Sequence, residues 1–192
     1  MKIVIFNGVI KMVLLMLPIM FFGLTIDTTK KIELPGCKPT LPNPKVFCGE
    51  VGAKGRYKGS DGNFDYSYQK IMYESACADI DNMNEREINQ KLREWWNLFK
   101  DKLVCDCVQF NVPNGSVFKF AIRSYLTSFI DDAIYAKFDL NFIDKADGRT
   151  ILDYTRDELN KQTHTSPVRK LLQEYYDKLR AAGAKHRSEL EL

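Results

Sequence analysis

The sequence predicts an all-α fold, a short solenoid of about three helix-pair repeats with hairpin loops, behind an irregular N-terminal lead-in. Three observations predict it. First, two turn-forming stretches share residue types at one offset: Asp106 and Asp139, Phe110 and Ile143, Asn111 and Asp144, Asn114 and Asp147, and Gly115 and Gly148 all stand 33 positions apart. A fixed period of that length is the signature of stacked units, none of which can bury its apolar face alone. Second, apolar residues recur at three- to four-residue steps in Ile88, Leu92, Trp95, Trp96, Phe99 and Leu103, and again in Val168, Leu171, Leu172, Tyr175, Tyr176 and Leu179. That spacing gives one face of a helix. Third, Asp147-Gly148 is a tight-turn pair, because glycine accepts a positive φ without steric cost, and its flanks alternate apolar and polar like a short hairpin.

Taken in order, residues 1–26 read as a signal peptide or N-terminal anchor. Lys2 and Lys11 flank an uncharged run of 15 residues from Met12 to Ile26, shorter than the roughly 20 a spanning helix needs. Cleavage, retention as an anchor, and lipidation at Cys37 after Leu34-Pro35-Gly36 stay open. Residues 27–60 form the lead-in. Pro35, Pro39, Pro42, Pro44, Gly49, Gly52, Gly55 and Gly59 there exclude any long helix.

The repeat domain is expected over 61–192. Its first, enlarged unit opens at Ser60-Asp61-Gly62, continues through a helix marked by Phe64, Tyr68, Ile71, Met72 and Ile80, and then a second helix capped by Asn84 with Glu87 three residues on. Trp95 and Trp96 read as core residues rather than a stacking site. Asn114-Gly115 opens the second unit, with an inner helix through Val117, Phe118, Ala121, Ile122, Tyr125 and Leu126 and a return helix through Phe129, Ala133, Ile134 and Ala136. Asp147-Gly148 opens the third. A polar break from Asn160 leads to Ser166 as cap and Pro167 in the first turn of the last helix, which Gly183 ends.

Composition narrows the function. The 28 basic and 25 acidic residues give a net charge of +3, and removing Lys2 and Lys11 with the leader leaves 26 against 25. That balance argues against nucleic acid as the partner and against long-range steering. Five cysteines, Cys37, Cys48, Cys77, Cys105 and Cys107, agree with export to an oxidising compartment. A Cys37–Cys48 bridge would restrain the Pro-rich segment between them, Cys77 could reach Cys105 or Cys107, and one cysteine is left over. No CxxC pair exists and His164 and His186 lie far from the cysteines in sequence, so no metal site and no cofactor are expected. Neither a serine elbow, a paired-carboxylate motif nor a phosphate loop is present, so the chain is not expected to be an enzyme.

The residues carry a resemblance. Gly148-Arg149-Thr150-Ile151-Leu152-Asp153 resembles the Gly-x-Thr-Pro-Leu-His of ankyrin repeats, Phe138-Asp139-Leu140-Asn141 their Ala-Asp-Val-Asn, and Leu179-Arg180-Ala181-Ala182-Gly183-Ala184 their Leu-Leu-x-x-Gly-Ala. Ile151 stands in place of the proline, and Asp153 in place of the histidine that ties neighbouring repeats. The resemblance implies a binding module whose hairpin tips and first helices form a concave face. Leader, size and repeats together are similar to the periplasmic ankyrin-type immunity proteins of type VI secretion lipase effectors. That implies a cognate lipase toxin as protein partner, steric inhibition as mechanism, and membrane contact only through the N-terminal segment. The alternative is an envelope scaffold or adaptor that holds an endogenous protein. The partner-binding residues expected on the exposed repeat positions are Asn114, Lys119, Lys145, Asp147, Arg149 and Arg156, with Tyr66, Tyr68 and Tyr154 as nearby aromatics.

Overall fold

The 3.6-residue stripes fold as helices whose caps follow the sequence closely. The computed structural model describes residues 36–53, 56–58, 64–106 and 115–190; the leader, residues 1–26, lies outside them. The helices are α1 (Pro44–Ala53), α2 (Ser67–Ala76), α3 (Glu85–Phe99), α4 (Val117–Arg123), α5 (Thr127–Tyr135), α6 (Ile151–Asn160) and α7 (Pro167–Ala181), followed by a 3-10 turn at Arg187–Glu189. Two three-residue strands, β1 (Arg56–Lys58) and β2 (Phe64–Tyr66), pair antiparallel with Tyr57 opposite Asp65. The fold is all-α. Among the described residues no helix is long and apolar enough to cross a membrane.

Capping chemistry sets the boundaries. Asn84 and Glu87 close a reciprocal capping box on α3. Ser116, Thr150 and Ser166 cap α4, α6 and α7, the last with Pro167 in the first turn. At the C-terminal ends of α2, α4, α5 and α7 the chain turns left-handed, at Cys77, Tyr125, Lys137 and Gly183, with φ of 57, 57, 57 and 93°. Each turn returns a backbone N–H to the carbonyl five residues back, such as Phe138 to Ala133 and Ala184 to Leu179, at 2.9 and 3.0 Å.

Helices α4 and α5 pack as a pair against α6 and α7, first helix on first and second on second. Helix α4 also packs on α1, which packs against α2, and α2 packs on α3. This corrects the expectation of an irregular lead-in. Pro44 sits in the first turn, where its missing N–H costs nothing, and Asn43 Oδ1 accepts from Lys45 N at 3.0 Å. Phe47, Cys48 and Val51 of α1 are then fully buried. The helix marked by Phe64 to Ile80 is also shorter than expected. Phe64 lies in β2, and Ile80 is 55% exposed beyond the left-handed Cys77.

Two aromatic hubs hold the layers together. Trp96 stacks on Phe138 at 4.8 Å and meets Phe118 and Phe142 edge-on at 5.8 and 5.6 Å. Phe129 gathers Phe47, Tyr68 and Phe118 edge-on, which joins α1, α2, α4 and α5. Such pairs add about 0.5–1.5 kcal/mol each beyond the area they bury. The indole N–H groups of Trp95 and Trp96 donate to the Thr40 and Asp139 carbonyls at 3.0 and 3.1 Å, so neither tryptophan buries an unmet donor.

The cysteines pair differently from the expected pattern. Cys37 bonds Cys77 and Cys48 bonds Cys105, across 40 and 57 positions. Cys48 is buried on α1, and the bridges tie the N-terminal segment to the end of α2 and to the strand-like turn after α3. Cys107 lies outside the described residues, and no cysteine is left within the chain to pair with it. Two disulfides place the protein in an oxidising, exported environment.

A candidate interaction loop braced by buried charges

The loop between α5 and α6 is closed by its own backbone rather than by strands. Asp144 N donates to Arg149 O at 3.0 Å and Gly148 N to Asp144 O at 2.7 Å, with Gly148 at φ +69°. The upstream turn is built otherwise. Val104 and Ser116 form an antiparallel bridge, with Cys105 N donating to Gly115 O at 2.9 Å. Its tip, residues 107–114, lies outside the described residues. The capping residues Ser116 and Thr150 stand 34 positions apart, so Gly115 corresponds to Arg149, and the 33-residue offset slips by one at this point.

Aligning the caps exposes a repeated device. The third residue of α4 is Lys119 and the third of α6 is Asp153, both buried. Each reaches forward past the following helix to the segment beyond it. Lys119 Nζ bonds Asp144 Oδ2 at 2.8 Å and Asp147 Oδ1 at 2.5 Å. Asp153 accepts from His186 Nδ1 at 2.8 Å and Arg187 N at 2.9 Å. The same helix position is thus used twice, once by a cation and once by an anion.

Around Lys119 the loop is fully engaged. Asp144 also accepts from Ser116 N and Ala146 N at 3.0 and 2.8 Å, which sets a carboxylate against the N-terminus of α4. Asp147 takes the Arg149 guanidinium at 2.5 Å, and Arg149 Nη1 continues to Asp157 at 3.0 Å. The Arg149 guanidinium lies 5.0 Å from the Tyr154 ring centre, and Lys119 Nζ 5.6 Å. Burial pushes the Asp144 and Asp147 carboxyls up, but Lys119 and the donated N–H groups outweigh it and hold both below the ordinary range. Burial drives the Tyr154 phenol up to about 12.

The far side of the loop is fastened by the C-terminus. Arg187 Nη1 donates to Gly148 O at 2.8 Å. His186 Nδ1 faces a carboxylate and so donates, which leaves Nε2 to accept from the Tyr176 hydroxyl at 2.9 Å in the neutral ring. Carboxylate, imidazole and hydroxyl in line are the order of a nucleophile-activating triad. Thr150 Oγ1 at 2.9 Å and Arg156 at 3.1 Å share the same carboxylate, and the array ties the terminal turn to α6. Burial raises the Asp153 carboxyl, and the Arg187 N–H and His186 bonds bring it below the ordinary range. Asn141 ties the loop to the end of α7, accepting from Lys185 N at 2.8 Å and donating to Gly183 O at 3.2 Å.

No protein-family model, curated protein or solved structure matches the chain.

The expected binding residues divide sharply. Asn114 lies outside the described residues. Lys119 is 3% exposed and an internal brace, which corrects its place on the binding face. Lys145 is the open one, its side chain 79% exposed and paired with Asp101 at 2.9 Å. Asp147 and Arg156 are exposed and Arg149 partly so, and all three are engaged in the network. Of the aromatics, Tyr68 and Tyr154 are buried, and the Tyr66 side chain lies outside the described residues. Sequence reasoning missed Asp144, Asp153 and His186. The spacing His186-x-x-Glu189 was the available signal, since Glu189 returns to His186 N at 2.7 Å as a capping partner.

Proposed function

We propose that this chain is an exported protein-binding module. In its most specific form it is a periplasmic immunity protein that covers the active site of a secreted phospholipase-type effector of a type VI secretion system. The observation that carries the reading is the 144–149 loop. It is bonded from below by Lys119 and from the side by Arg187, and it presents Lys145 outward. A surface fixed before contact loses little freedom on binding, which is what a tight steric inhibitor needs. The two disulfides support action outside the cytosol. Neighbouring first-helix positions, Arg123 and Arg156, are exposed and extend the surface. A stable complex should bury at least about 1,200 Å².

The test is to read the genes beside this one and to assay binding and inhibition of a lipase-like protein encoded there. Stoichiometric inhibition is expected, and Lys145→Glu should weaken binding by at least about tenfold, or 1.4 kcal/mol, without changing the melting temperature. No complex with that neighbour, or equal binding by the variant, would overturn the reading.

A further inference from the structure

Tyr154 carries an oxygen that the packing does not use. Its ring lies against two cations, the Arg149 guanidinium at 5.0 Å and Lys119 Nζ at 5.6 Å from its centre. Tyr154 is 6% exposed, yet its hydroxyl makes no hydrogen bond among the described residues. The hydroxyl still reaches the surface, because Ser128 Oγ is the one side-chain oxygen or nitrogen among those residues that is both wholly buried and without a partner. With the caps of α4 and α6 aligned, Tyr154 stands where the preceding unit has the fully buried Phe120. A bare aromatic ring therefore fills this position, and the oxygen is additional to the packing. Burial drives the phenol up to about 12, so at physiological pH the hydroxyl stays a donor. Arg123 ends α4, which packs on α6, and its guanidinium acts electrostatically on the Tyr154 phenol. It is exposed and makes no ion pair or hydrogen bond among the described residues. The other charges around the phenol are matched: Lys119 and Arg149 hold Asp147, Arg149 also holds Asp157, and Glu158 pairs with Lys161 at 2.6 Å.

We propose that Arg123 and the Tyr154 hydroxyl together take one carboxylate, the side chain of an aspartate or glutamate on a bound protein partner. A guanidinium only donates and this hydroxyl has a proton to give, while an ionised carboxylate only accepts, on two oxygens. Bonds to an ionised acceptor are the strong ones, and one carboxylate can satisfy both donors at once. A basic side chain is repelled by Arg123 and meets carboxylates that already hold cations. A phosphate group brings nearly two negative charges towards Asp147 and Glu158, more than the single unpaired guanidinium offsets. The proposal rests on the protein-binding reading and gives the partner an acidic residue at the contact, but does not require the partner to be a lipase.

Its test needs no partner. The disulfide-bonded full chain, labelled with nitrogen-15, is titrated at constant ionic strength with N-acetyl-glutamate methylamide, and in parallel with the glutamine analogue, which has the same shape without the charge. Saturable shifts of the Arg123 Nε–H and of the Arg123 and Tyr154 amides are expected for the glutamate probe, with a dissociation constant on the order of 10–100 mM. The glutamine probe should bind at least about threefold more weakly, as should the glutamate probe to Arg123→Gln and to Tyr154→Phe. Tyr154→Phe copies the residue of the preceding unit, so its melting temperature should match that of the wild type and its weaker binding is not a loss of fold. No saturable shift by about 300 mM, equal shifts with glutamine, or undiminished binding by either variant would overturn the proposal. The protein-binding reading would still stand, since the Lys145→Glu assay tests it separately.

Discussion

Replacing Lys119 with methionine removes a cation that joins α4 to the loop between α5 and α6. The Lys119 side chain is 4% exposed and bonds two carboxylates, of which Asp144 is 10% exposed and Asp147 28%. Breaking a buried pair by removing one partner costs about 3–5 kcal/mol. Asp144 keeps the Ser116 and Ala146 N–H bonds, so the lower end, about 3 kcal/mol, applies. Urea unfolding followed by the fluorescence of Trp95 and Trp96, both fully buried, reads this directly. At a slope of about 2 kcal/mol per molar the midpoint should fall by about 1.5 M.

The pH dependence supplies the control. The folded-state pKa values of Asp144 and Asp147 are depressed, so the unfolded chain takes up protons first as pH drops. Their contribution is complete above the ordinary carboxylate value of about 4 and drains away below it. The gap between wild type and variant should therefore narrow in acid. Asp144→Asn should recover part of the loss in the double variant, because it removes the charge that Lys119 compensates. A loss below about 1 kcal/mol at pH 7, or one that does not change with pH, would refute the assignment of Lys119 as a buried brace.

Three further predictions follow from backbone and covalent geometry. Lys137→Gly should raise stability by about 0.5–1 kcal/mol in the same assay, because Lys137 is exposed and held at φ 57°. Gly148→Ala should cost about 1–2 kcal/mol by urea unfolding, since φ is +69° and the added Cβ would stand 2.6 Å from Arg187 Nη1. Peptide mapping without reduction should recover Cys37–Cys77 and Cys48–Cys105 with one titratable thiol per chain, at Cys107; a Cys37–Cys48 peptide would contradict the pairing.

What the sequence made legible was local. The Asn84–Glu87 box, Ser166-Pro167 and the Gly183 stop act within one helical turn, and the helix ends follow them. The tryptophans belonged to the core because their stripe could face nowhere else. What escaped depends on partners distant in sequence. The run of prolines and glycines hid α1, since Pro44 stops a helix only from inside it, and burial of Phe47 and Val51 outweighs the cost of Gly49 and Gly52. The disulfide pattern depends on which way α1 faces. Lys119 read as exposed because a lysine usually is, and only the arrival of Asp144 and Asp147 from the next loop makes its burial tolerable. At the candidate site the loop was found, and Lys119, Asp147 and Arg149 were named as contact residues rather than braces, while Asp144 and the histidine near the end of the chain were not.

The two bridges interleave: Cys48 falls between Cys37 and Cys77, and Cys77 between Cys48 and Cys105. A single peptide-bond cut anywhere from Cys37 to Cys105 therefore leaves every fragment attached to the rest. For a protein in an oxidising, exported environment, one nick in that half of the chain releases nothing, and dismantling that half requires either two cuts or a reductant.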